Sequence, residues 1–184
     1  GDDLAMLAYT SGSTGQPKGV MQSFGRISAA VEHGLADPNV KLPEGVPRRV
    51  LSYLPLAHVY ERAAVECGAL VDGGTQVFFS ESLATFMDDL KRARPTLFVS
   101  VPRLWLKFQQ AVFANMPAAQ LDALLDTPAM REAVGRKVLA GLGLDEVRIA
   151  FSGAAPIPPA LLDWYRRLGL PLFDPNDKNA AVAR

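Results

Sequence analysis

Residues 10 to 19 read Thr-Ser-Gly-Ser-Thr-Gly-Gln-Pro-Lys-Gly. Within them stand three glycines, four hydroxyl side chains and one lysine. Glycine permits close backbone approach, so such a loop can turn several N–H groups toward one anion. Thr10, Ser11, Ser13 and Thr14 add hydroxyl donors, and Lys18 adds a full charge on a long stem. Phosphate groups in a row call for that combination. The spacing is not that of a Walker loop, because Gln16 and Pro17 separate Gly15 from Lys18 and Gly19 follows the lysine. The G-x-G-x-x-G of dinucleotide folds is absent as well. Composition alone leaves a plain Gly/Ser/Thr hairpin open as the alternative.

Two further stretches carry polar chemistry. Leu54-Pro-Leu-Ala-His-Val-Tyr-Glu-Arg62 holds His58, which could donate to a carboxylate or a phosphate. A structural histidine in a strand-to-helix turn is the competing reading, and Glu61 with Arg62 could simply pair with each other. Phe151-Ser-Gly-Ala-Ala-Pro156 offers small residues where a flat ring could lie against backbone.

Taken as an ordered string, Tyr9 to Val20 resembles the phosphate loop of the adenylate-forming superfamily, which includes acyl-CoA synthetases, luciferases and peptide-synthetase adenylation domains. The His58 string resembles the version found in long-chain fatty acyl-CoA synthetases. Val101-Pro-Arg-Leu-Trp105 is similar to a segment of that same branch, with Trp105 read as core. The resemblance runs from about Leu4 to Leu172 and covers the middle of such an enzyme.

The resemblance implies the following roles. Thr10, Ser11, Gly12, Ser13, Thr14, Gly15 and Lys18 bind the phosphates, with Thr10 also on magnesium (Mg2+). Lys18 and His58 are the catalytic candidates, His58 where the acyl carboxylate meets the α-phosphate. Gly153, Ala154 and Ala155 border the adenine. The ligands are ATP, a fatty acid and coenzyme A. The reaction is acyl-adenylate formation followed by transfer to the thiol. The family's Tyr-Gly-x-Thr-Glu string does not follow Phe173, so residues 1–173 read as a partial AMP-binding domain and 174–184 as an atypical tail. Weak nucleotide binding and no thioester synthesis are expected of this polypeptide alone. A fatty acyl-AMP ligase, a carboxylic acid reductase adenylation domain and a non-catalytic nucleotide-binding module stand as alternatives. A hydrolase lacks its G-x-S-x-G elbow here.

Several elements must position these groups. The 184 residues suffice for one domain with a sizeable core, and 49% apolar with 21% charged is an ordinary globular mix. Zero formal net charge argues against nucleic acid as a partner. Cys67 stands alone, which excludes an internal disulfide and suggests a reducing, cytoplasmic compartment, with a peripheral membrane location of a longer parent left open. No apolar run approaches a membrane span.

Strands are expected at Leu4–Tyr9, Val50–Leu54, Gln76–Phe79, Thr96–Val101 and Val147–Phe151. Helices are expected from Ile27 to Leu35, from Tyr60 to Val71, after a Ser82 cap and after Pro102. Two more fall within Met116–Gly143, divided near Thr127-Pro128, and another follows Pro158-Pro159. Alternation of this kind predicts an α/β domain with a largely parallel sheet flanked by helices, part of the large amino-terminal domain of an adenylate-forming enzyme by resemblance. Ligands then sit past the carboxyl ends of the strands, where the Thr10 loop and the Pro55 and Gly153 turns fall. Apolar faces left open are expected to promote self-association.

Overall fold

The structure is a computed structural model that describes residues 1–10 and 18–174. Strands β1 (Leu4–Thr10) and β2 (Lys18–Ser23) pair antiparallel, with Thr10 opposite Lys18 at the loop end. The residues after the loop thus form the return strand. Helix α1 (Phe24–Ala36) follows without a break because Ser23 caps it, its Oγ accepting from the Arg26 amide at 3.3 Å.

The remaining strands are short and parallel. β3 (Arg49–Ser52) pairs with β4 (Gln76–Phe79); β5 (Leu97–Ser100) pairs with β6 (Ile149–Ser152), and β6 with β7 (Leu172–Phe173). Thr96 stitches the two ladders together. Its amide donates to Arg49 O, its hydroxyl accepts from the Arg49 amide and donates to Pro47 O, and its own carbonyl accepts from Arg148 and Ile149. At 1% exposure each of these bonds is hard to replace with water, and leaving one unmade costs about 1–3 kcal/mol.

Alternation along the strands gives the sheet two apolar faces. Leu51, Phe98, Ala150 and Leu172 turn to the main core. There they meet α3 (Phe86–Ala93), α4 (Pro102–Asn115), α5 (Ala118–Asp126), α6 (Pro128–Leu142) and α7 (Pro159–Arg167). Trp105 lies at its centre, fully buried, with Tyr165 edge-on at 5.0 Å and the Tyr165 hydroxyl donating to Trp105 O. Val50, Leu97, Val99 and Phe151 turn the other way, toward α1.

Three elements depart from expectation. The segment read as one buried helix from Tyr60 is a π-helix over Glu61–Cys67 that continues into α2 (Gly68–Asp72), and Leu70 is 78% exposed. Ser82 does not cap α3. It trades hydrogen bonds with Thr85 in a turn, Thr85 takes the helix start and bonds Asp89 at 2.7 Å, and Leu83 is left 96% exposed. Strand β7 was not expected. It is too short to show a pattern, and it is a strand only because β6 offers it an edge.

Candidate acyl and nucleotide site

Two of the three sequence strings end at one place. Gly153 leaves β6 with its amide bonded to Ser100 O at 2.8 Å, and Ala154 then takes a left-handed backbone, φ 66°. A non-glycine residue pays about 1–2 kcal/mol for that conformation, so the turn is held by its surroundings. Its effect is to reverse the chain so that Ala154 and Ala155 stand exposed beyond the strand end. Further on, Asp174 is 4% exposed and its Oδ2 accepts from the Ile157 amide, tying the close of the described chain to this turn.

His58 sits in the turn after β3, exposed, with its amide bonded to Pro55 O at 2.8 Å. The Tyr60 amide donates to His58 Nδ1 at 3.2 Å. Nδ1 is therefore an acceptor, and the neutral ring carries its proton on Nε2. The same turn is anchored from below by Glu61, which is fully buried and accepts from the Ser52 hydroxyl at the end of β3. No hydrogen bond of normal geometry reaches Glu61 Oε2. Burial raises the Glu61 carboxyl above its ordinary 4.5; the Ser52 hydroxyl, the Leu54 amide, nearby His58 and the Tyr53 amide oppose the rise without cancelling it. Glu61 and Arg62 do not pair with each other. Arg62 bonds Glu66 at 2.8 Å, one helical turn on, while Glu61 faces the sheet.

Between these turns opens a pocket of about 400 Å³. One wall is the sheet face of Val50, Leu97, Val99 and Phe151; the other is α1 and the π-helix, through Val31, Gly34, Ala63 and Gly68. Tyr60 and Gly153 line it too, at the end nearer the His58 turn. Burial pushes the Tyr60 phenol well up, with Tyr53 and Glu61 adding to the rise, so it stays neutral in the working pH range. The walls are almost wholly apolar and small residues keep them apart, which suits a hydrocarbon chain. Sequence reading missed this cavity, because it depends on α1 and the π-helix packing side by side over one face of the sheet.

The phosphate-loop candidates divide. Thr10 ends β1 and Lys18 opens β2 opposite it, with Lys18 exposed. Ser11, Gly12, Ser13, Thr14 and Gly15 lie outside the described residues. The hairpin reaches the rest of the site through α1, which leaves β2 directly and whose later turns wall the pocket. Among the described residues no group of three or more His, Cys, Asp or Glu could hold a metal ion.

The fold is an α/β domain with an apolar slot that runs toward the carboxyl ends of its strands, where ligands of such folds bind. The family model for AMP-binding enzymes matches residues 1–174, and the chain belongs to that family. It is 36% identical over 189 residues to long chain acyl-CoA synthetase 5 of Arabidopsis thaliana, covering 89% of this chain and 28% of that protein. It is 35% identical over 187 residues to the peroxisomal acyl-CoA ligase 891 of Penicillium roqueforti, covering 89% and 26%. Among solved structures it is similar to the A domain of carboxylic acid reductase from Segniliparus rugosus, in complex with AMP and a co-purified carboxylic acid. That match has a TM-score of 0.71 and 32% identity and covers 94% of this chain and 27% of that one. The chain spans about a quarter of the length of the curated relatives it matches.

Proposed function

We propose that this chain carries the phosphate loop, the histidine turn and the acyl pocket of an ATP-dependent long-chain fatty acid–CoA ligase. In the full reaction a fatty acid and ATP give acyl-adenylate and pyrophosphate, and coenzyme A then takes the acyl group and releases AMP. The observation that carries the reading is the apolar pocket whose polar end is bounded by Gly153 and Tyr60, beside His58.

The roles follow from the chemistry. The chain of the acid lies along Val99 and Phe151, and its carboxylate emerges near Gly153. His58 Nε2–H donates to that carboxylate or to the α-phosphate it attacks. The attack is an in-line displacement, so catalysis is chiefly alignment and charge stabilisation. Lys18 and the loop amides between Thr10 and Lys18 take the charge that builds on departing pyrophosphate. Gly153, Ala154 and Ala155 offer a flat, side-chain-poor edge to adenine. Magnesium would be held by the Thr10 hydroxyl together with the phosphates of the nucleotide, where it would offset their charge.

A non-hydrolysable acyl-sulfamoyl adenosine tests the reading by titration. A long acyl chain should bind at least about tenfold tighter than an acetyl group, since each buried methylene is worth ~0.8 kcal/mol. Equal affinity would remove the acyl assignment. The isolated chain should show no fatty-acid-driven pyrophosphate exchange, because the Tyr-Gly-x-Thr-Glu string is missing from its 184 residues.

A second reading is the adenylation domain of a carboxylic acid reductase, favoured by the reductase A domain to which the chain is similar. The first half-reaction is shared. A panel of acceptors offered to a longer parent protein separates the two.

A further inference from the structure

Among the residues that line the acyl pocket, Arg48 alone carries a charge. It stands at the end opposite the candidate nucleotide site. Arg48 precedes β3 at the amino ends of the parallel strands, and its carbonyl accepts from the Gln76 amide where β4 begins. Gly153 lies just past the carboxyl end of β6, level with Val101, while Arg49 is level with Thr96. About five residues separate those levels, roughly 16 Å at the strand rise of ~3.3 Å. One leaflet of a bilayer has that depth, half of ~30 Å, so a lipid-length chain anchored at Gly153 ends beside Arg48.

The guanidinium has capacity to spare. Arg48 Nη2 donates to Val40 O at 2.9 Å, and among the described residues Arg48 has no ion-pair partner. Thr75 lines the same end, its hydroxyl donating to Asp72 at 2.6 Å. A methyl terminus pushed against a guanidinium strips it of water and returns nothing. A carboxylate there meets a planar fork of donors with a fixed positive charge.

We propose that the pocket selects an acyl chain with an anionic far end, an α,ω-dicarboxylic acid of lipid-chain length, and that Arg48 reads that second carboxylate. This rests on the reading of the pocket as the acyl site.

Displacement of a fluorescent fatty acid from the 184-residue chain by dodecanedioate and by dodecanoate tests it. The diacid should bind about tenfold tighter, well beyond the factor of about two that two equivalent ends confer. Arg48→Met should reverse the order, with Arg48→Gln used if the methionine variant does not fold. Equal affinities in the unaltered chain, or a diacid preference that survives both variants, overturns the role of Arg48. Gly34→Leu keeps that result separate from the parent reading. Gly34 lines the pocket and has open space where a Cβ would project, so leucine fills the slot without a backbone clash. Loss of both acids in Gly34→Leu supports the acyl pocket whatever Arg48 does. Failure of both acids to displace the probe, or binding indifferent to Gly34→Leu, overturns both readings.

Discussion

Glu61 is the residue on which the histidine turn rests. It is a fully buried carboxyl whose pKa is raised by burial, so its neutral form is favoured in the fold. The sign follows from linkage: for an acid with a raised folded pKa, the favourable contribution is full below the unfolded value and is lost as pH rises through the folded one. The contribution of Glu61 to stability should therefore fall as pH climbs above 4.5, and Glu61→Gln should remove that part of the pH dependence and melt higher than the parent at pH 7. Melting curves across pH check it; a variant that melts lower at neutral pH would mean the carboxylate is held charged. The string containing His58 was legible because its order and spacing are specific. Its support was not. Nothing in the sequence said that Glu61 would reach Ser52 on β3 instead of Arg62, since that choice is made when the π-helix packs on the sheet. The left-handed turn at Ala154 was equally hidden, for alanine carries no signal for positive φ.

Elements were easier to read where local chemistry dictates them. Proline opens α4, α6 and α7 at Pro102, Pro128 and Pro159, and each start was expected there. The helix after Tyr60 shows the limit. Apolar spacing announced a helix, but the wider turn of Glu61–Cys67 appears only when Glu61 and Val65 bury together and Ala63 turns to the pocket. Two glycines make a test at this scale. Gly143 closes α6 at φ 75°, and a Cβ there would stand 2.7 Å from Lys91 N. Gly143→Ala should cost about 2–4 kcal/mol, from the left-handed backbone and the clash together. Gly34 lies inside α1 with nothing near its missing Cβ, so Gly34→Ala should stabilise by about 0.5–1 kcal/mol. Denaturant titrations of both variants read the two effects; equal shifts of one sign would contradict the backbone assignment.

The whole molecule is unevenly dressed. One sheet face is sealed by α3 to α7, while the hairpin and α1 leave Tyr9 71%, Met21 66% and Phe24 59% exposed, and the edge strand β4 leaves Phe79 75% exposed. Exposed apolar area on that scale at an open sheet edge favours association. Sedimentation should show self-association that grows with protein concentration, and a single monomeric species throughout would contradict this. The fold class was legible from strand–helix alternation. The two-faced sheet and its slot were not, because they arise from which alternate side chain of each strand the flanking helices choose to cover.

We propose that the glycine and hydroxyl loop grips the terminal phosphates of a nucleotide whose α-phosphate lies by His58. Calorimetric titration of ATP and AMP against the parent chain and Lys18→Ala tests it most directly. Lys18→Ala should lose about tenfold or more in ATP affinity, the scale of one charge-assisted contact, while AMP binding changes little. Equal weakening of both nucleotides, or none of either, would contradict it.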